Sequence, residues 1–190
     1  MAREGQSRGA ATRERVLDEA SKLFIEVGYT KAPLSELSAR LGITKAALYY
    51  YFQSKDELLL ALVAPFFDEV DRLLADADRG AGLDKEEFLR RYVEVLRSDQ
   101  RAVSIIGTDF TVSSHPDIEP RINAHVGAII DLLAGPGADV KQLDHASAAM
   151  TIVQRGLFAH AGEPVELRSM PQDERMEIVL KLAMDVIAAG

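Results

Sequence analysis

The chain has no cysteine, which removes both a disulfide framework and a thiolate metal site. None of His115, His125, His145 and His160 has a glutamate three residues before it. The Glu-x-x-His pairing of di-metal carboxylate bundles is therefore missing. There is also no P-loop, no Gly-rich nucleotide fingerprint and no visible Ser-His-Asp arrangement. No cofactor or metal is implied, and an enzyme is not expected. No apolar run approaches the about 18 residues of a membrane span, and the polar N-terminus MAREGQSRGAA has no apolar signal core. These absences predict a soluble, cytoplasmic protein with no membrane partner. β-alternation is nowhere sustained, and internal repeats and low-complexity tracts are missing as well.

What remains is helical. The 190 residues, 47% apolar, suffice for a small domain plus a larger one. The net charge of −8 is unevenly placed. Residues 1–60 carry 9 basic and 8 acidic side chains, and residues 61–190 carry 13 and 22. The acidic burden thus lies outside the first part. Fields between exposed charges fade over a Debye length of about 8 Å at physiological salt, so a near-neutral first part can still meet an anionic partner.

Residues 33–58, PLSELSARLGITKAALYYYFQSKDEL, read as two short helices joined by a tight turn. Gly42 follows the last apolar residue of the first, where a left-handed C-cap is expected. Thr44 stands at the N-cap of the second. Leu37, Leu41, Leu48 and Phe52 are expected to form the core between them, as in a helix-turn-helix. The second helix keeps Lys45, Ala46, Ala47, Tyr49, Tyr50 and Tyr51 for the rest of its surface, with no acid among them. Such a surface suits DNA: a lysine can donate to guanine, an alanine methyl can touch a thymine methyl, and phenol hydroxyls can donate to phosphates. Periodicity alone also allows Tyr49 or Tyr50 as packing residues and Lys45 and Lys55 as solvated lysines. Before the motif, Val16, Leu17, Ala20, Leu23, Phe24 and Val27 make one helical stripe that Gly28 ends.

The block from Thr12 to Leu59 resembles the TetR family of bacterial transcriptional regulators. The resemblance rests on Thr12-Arg13-Glu14, Ala20, Leu23, Phe24, Gly28-Tyr29-Thr30, Leu34, Leu41-Gly42-Ile43, Lys45, Ala47-Leu48-Tyr49-Tyr50, Phe52 and Ser54-Lys55-Asp56-Glu57-Leu58, at spacing without gaps. It implies that the second helix of the motif enters the major groove. Thr44, Lys45, Ala46, Ala47, Tyr49, Tyr50, Tyr51 and Lys55 would then be the DNA-binding residues, with Lys55 on a phosphate. The chain departs from the family habit at Ala46, where Gly is common, at Tyr51, where His is common, and at Gln53, where Pro or a basic residue is common. These departures bear on which base sequence is read.

The fold expected is all-α. A flexible arm at 1–11 precedes a three-helix DNA-binding domain at 12–58 and a larger ligand-binding and dimerisation domain at 59–190. Helices are expected at 54–78, with a kink or break near Ala64 caused by Pro65, then at 85–98 and 100–112. Another begins at Pro116 and ends by Gly135, and two more occupy 139–161 and 171–189. Ala146, Ala149, Met150 and Val153, with Val179 and Ala183, are small or apolar residues that would suit the homodimer interface the family makes from its last two helices. An internal stripe is the other reading of the same pattern. An effector pocket is implied by the resemblance, with Phe66, Tyr92, Phe110, His115, Arg155 and Phe158 as candidate lining.

The function expected is that of a ligand-responsive regulator, a repressor by occupancy of the promoter. It would bind a near-palindromic double-stranded operator as a homodimer and be released by a small-molecule effector. A dimer doubles the site read by one short helix. The ligand would favour a spacing of the two reading helices that does not match DNA. The alternative is a helical partner-binding or enzyme domain whose helix-turn-helix binds nothing.

Overall fold

A computed structural model describes residues 2–79, 83–157 and 164–190, with side chains from residue 9 and without those of 167 and 168. Among the described residues there are eleven helices and no strand. They are α1 Ala2–Val27, α2 Leu34–Leu41, α3 Lys45–Tyr51, α4 Lys55–Asp78, α5 Lys85–Ser98, α6 Gln100–Thr108, α7 Phe110–Ser113, α8 Glu119–Ala134, α9 Val140–Gly156, α10 Val165–Arg168 and α11 Gln172–Ala188. α1 begins at Ala2, inside the segment expected to be an arm. None of these helices is long and apolar enough to cross a membrane.

The chain divides into two compact units, one of residues 1–68 with 99–121 and one of 69–98 with 122–190. The first unit is therefore larger than the helix-turn-helix block and takes in α6 and α7. Its core is the stripe of α1, where Val16, Ala20, Leu23 and Phe24 are buried, together with Leu37, Leu48, Phe52, Leu58, Leu59 and Val63. Each such side chain contributes about 1.5–3 kcal/mol relative to exposure, enough to fix short helices that would not form alone. Val27, expected on the stripe, is instead exposed, because the helix is about to end and the chain turns away through Gly28 at φ +83°. Arg40 of α2 reaches three carboxylates, Glu36 at 2.6 Å, Glu26 at 2.8 Å and Glu19 at 3.7 Å, and so ties α2 to α1.

The second unit is built on α9 and α11 packed along each other, with α5 against α11. Phe88, Leu89, Tyr92, Val93 and Leu96 form the buried face of α5. Arg90 joins α5 to Glu177 of α11 at 2.6 Å, and Arg97 reaches Asp173 at 3.1 Å. Asp139 and Gln142 close a reciprocal capping box at the start of α9, which satisfies two of its orphan amides.

Four stretches differ from expectation. α4 runs through Pro65 without a break, with the pyrrolidine ring on its exposed side. The single helix expected at 100–112 is two. Asp109 is extended (φ −114°, ψ 104°), and its carboxylate caps α7 by accepting from Thr111 N. α8 starts at Glu119 rather than Pro116, because the carbonyl of His115 accepts from both Ile118 N and Glu119 N in the preceding turn. α9 ends at Gly156, and the remainder of the helix expected to 161 lies largely outside the described residues.

Candidate nucleic-acid interface

The turn before α3 is set by local chemistry. Gly42 is left-handed (φ 65°, ψ 30°), and its N–H donates to Ala39 O at 3.1 Å. A residue with a Cβ pays for this conformation, whereas glycine does not. Thr44 is extended and its Oγ1 accepts Ala47 N–H at 3.1 Å, which starts α3 at the next residue. Pro33 sits one place earlier than expected, at the N-cap of α2, without a side-chain cap.

With that start, α3 turns Leu48 and Phe52 into the core and everything else outward. Thr44, Lys45 and Ala46 are exposed, Ala47 and Tyr51 are half-buried, Tyr49 is 47% exposed and Tyr50 is 84% exposed. Tyr50 meets Tyr51 edge to face at 5.3 Å between centroids. Neither ring is a core residue, and Tyr50 stands out into solvent. Arg13 of α1 lies over the Phe52 ring at 4.9 Å, holding the far end of α3 from beneath. That arginine belongs to the body of the domain.

Lys55 is not turned outward. Its Nζ donates to Thr30 O at 3.2 Å and lies 4.6 Å from the Tyr29 ring centroid and 5.9 Å from that of Phe24. Burial pushes the ammonium below its usual pKa, and the charges of Asp56 and Asp109 offset only part of this. At the start of α4, Ser54 Oγ accepts Glu57 N–H at 2.9 Å, and Glu57 accepts Gln53 N–H at 2.6 Å. Tyr29 donates its hydroxyl to Asp56, and burial followed by that carboxylate raises the phenol well above its usual range. His115 Nε2 stands 3.9 Å from Asp56, while its Nδ1 accepts Asp117 N–H at 3.2 Å.

Asp109 completes the group. Its Oδ2 accepts Tyr29 N–H at 2.7 Å and its Oδ1 accepts Thr111 N–H at 3.0 Å. Burial pushes the carboxyl up, but hydrogen bonds from Thr111 and Tyr29 and the charge of Lys55 outweigh it, leaving the pKa lowered. Tyr29, Asp56, Asp109 and Thr111 carried no sequence signal for this grouping. An Asp before a short helix suggests a cap, but not a partner 80 residues away.

The other nominated residues fall as follows. Ala146, Ala149, Met150, Val153, Val179 and Ala183 are all buried within the single chain. They lie where α9 packs along α11 within the second unit. Ile178 and Leu182 are the apolar residues α11 leaves exposed. Of the proposed pocket lining, Phe66 is half-buried beside Phe67, and Phe110 points outward at 81% exposure. His115 belongs to the joint with Asp56. Tyr92 is buried in the second unit, where its hydroxyl accepts from Gln154 at 3.2 Å. Arg155 is exposed rather than buried, and Phe158 lies outside the described residues.

Residues 16–62 match the family described as bacterial regulatory proteins, tetR family. The chain is 36% identical over 70 residues to an HTH-type transcriptional repressor of Mycobacterium tuberculosis, covering 37% of this chain and 36% of that protein. It is 31% identical over 83 residues to the biofilm operon negative transcriptional regulator IcaR of Staphylococcus epidermidis, covering 43% and 45%. The match thus spans less than half the length of either relative. A transcriptional regulator from Aquifex aeolicus has the same fold at TM-score 0.71 and 20% identity, over 92% of this chain and 99% of that one. The ketosteroid regulator KstR2 of Mycobacterium tuberculosis aligns at TM-score 0.65 and 18% identity, over 94% of each chain. The all-α architecture is therefore shared along nearly the whole length, and the sequence likeness is concentrated in the helix-turn-helix, where residues 16–62 match the TetR family of bacterial regulatory proteins.

Proposed function

We propose that this protein is a transcriptional repressor that binds a near-palindromic operator as a homodimer through α3, and that a small-molecule effector releases it. The observation that carries the reading is the outward face of α3. Thr44, Lys45, Ala46, Tyr49 and Tyr50 are presented without an acid, on a helix fixed by Leu48, Phe52 and the Thr44 cap. Lysine and alanine can address base edges, while the tyrosines and Thr44 address phosphates and hold the register. The names of the relatives support repression. One short helix discriminates few base pairs, so two copies on a two-fold site supply the missing specificity.

Selection from a random DNA pool tests this directly. The wild type is expected to enrich a two-fold symmetric site, and a Lys45→Ala/Tyr50→Phe variant of equal stability is expected to enrich none. A folded, dimeric wild type that enriches no sequence at moderate salt would sink the reading and leave a helical partner-binding module as the better one. The effector part is tested by screening small molecules for release of the selected duplex.

A further inference from the structure

Tyr29 and Thr30, the turn between α1 and α2, are clasped from two sides within the first unit. From the α6–α7 side, Asp109 Oδ2 accepts Tyr29 N–H at 2.7 Å, and Thr111 Oγ1 lies 2.9 Å from Thr30 Oγ1. Thr111 Oγ1 is in turn 2.6 Å from Asp109 Oδ1, so the three side chains form one connected set. From the α4 side, Asp56 accepts the Tyr29 hydroxyl, and Lys55 donates to Thr30 O while its ammonium rests on the Tyr29 ring. The backbone is shaped for this approach. Gly28 has φ +83°, and a Cβ there would stand 3.3 Å from Asp109 Oδ2.

We propose that Asp109 is a positioning residue for DNA binding: by holding the Tyr29–Thr30 turn on which the Lys55 ammonium rests, it keeps that lysine turned inward and away from a DNA phosphate. The inference rests on the DNA-binding reading of α3 above. Lys55 opens α4 three residues after Phe52, close in the chain to the groove-facing surface. An ammonium seated on Thr30 O and the Tyr29 ring has its side chain drawn toward the α1–α2 turn, so extending to a phosphate means leaving that seat. The carboxylate of Asp109 adds an opposite charge on the inward side, which favours that seat. Releasing Lys55 adds one phosphate contact per subunit, and such contacts govern both affinity and its salt dependence.

The test uses the full chain, with Asp109→Asn as the first variant. Asparagine can keep the cap of α7 through its one amide oxygen, while it removes the charge and the second acceptor, the one that holds Tyr29 N–H. Lysines of the free protein are acetylated with acetic anhydride and read by mass spectrometry, with the exposed Lys45 as the internal standard. Binding to the duplex selected above is then measured across a salt series. In the wild type, once each rate is corrected for its free-amine fraction from the pH dependence of labelling, Lys55 should label more slowly than Lys45, because its amine is held on Thr30 O and the Tyr29 ring. In Asp109→Asn its labelling should approach that of Lys45. Affinity should rise roughly threefold to tenfold at low salt, with a log–log salt slope steeper by about 1 per subunit. Adding Lys55→Met should abolish both gains. Thr111→Val, which loosens the same clasp at an exposed site, should speed Lys55 labelling in the same direction and serves if Asp109→Asn does not fold. A merely structural role would shift the unfolding midpoint and leave the salt slope alone. Unchanged Lys55 labelling in the variants, or a gain in affinity that survives Lys55→Met, overturns the proposal. A wild type that binds no duplex refutes the DNA reading, while the labelling still decides whether Asp109 holds Lys55.

Discussion

A Cβ on Gly156 would stand 2.7 Å from Cγ2 of Val179, so the last residue of α9 is a glycine because α11 passes too close for anything larger. Arg175 Nε donates to the Gly156 carbonyl at 2.7 Å and draws the same two helices together. Gly156→Ala is expected to destabilise the chain by about 1–3 kcal/mol, the usual cost of overpacking. Urea unfolding checks this, and combining it with Val179→Ala should recover part of the loss. An unaltered midpoint in the single variant would mean that the two helices separate freely.

Thr44 closes the first turn of α3 through Ala47 N–H. Thr44→Ala should cost about 1 kcal/mol, and Thr44→Ser should cost much less, since the hydroxyl is retained. Far-UV circular dichroism during thermal unfolding reads the difference. Equal losses in both variants would show that the methyl, not the hydroxyl, holds the turn.

Tyr50 projects into solvent and contributes little to the core. Tyr50→Phe is therefore expected to leave stability within about 0.5 kcal/mol of wild type. Its effect should appear on DNA instead, as a similar loss of affinity on every duplex, because a phosphate contact carries no base information. Fluorescence anisotropy on two unrelated duplexes and one selected duplex measures it. A loss confined to the selected duplex would reassign the hydroxyl to a base edge.

Asp109 has a pKa below the usual carboxylate range in the folded chain. A carboxyl of that kind adds stability above its unfolded pKa, and the contribution fades as pH falls through the folded value, below about pH 4. Asp18, Glu26 and Glu177 are lowered in the same direction by hydrogen bonds from Arg101, Arg40 and Arg90. Asp109→Asn should therefore lose less stability than wild type between pH 6 and about pH 3, judged by urea midpoints at each pH. A parallel fall in both proteins would show that Asp109 gains nothing from ionisation in the fold.

Much of this was legible in the chain, because it depends on neighbours in sequence. The left-handed Gly42, the Thr44 cap and the burial of Leu48 and Phe52 are local consequences of residue type and helical period. The stripe at Ala146, Ala149, Met150 and Val153 was legible as apolar, but not as to its partner. The same period serves a dimer seam or an internal one, and Val179 and Ala183 answer to it from within the chain.

By itself, then, the sequence determined an all-helical protein with a helix-turn-helix whose second helix is free of acid. Caps, turns and apolar period are properties of a few adjacent residues, and these suffice for such features. Only the tertiary structure decided where long side chains go. Lys55 could have reached outward or inward, and Thr30 O, the Tyr29 ring and the charge of Asp109 turned it inward. Those partners lie up to 54 residues from it in the chain, and no local pattern encodes contacts that exist only once the Tyr29–Thr30 turn, the start of α4 and the α6–α7 junction have come together.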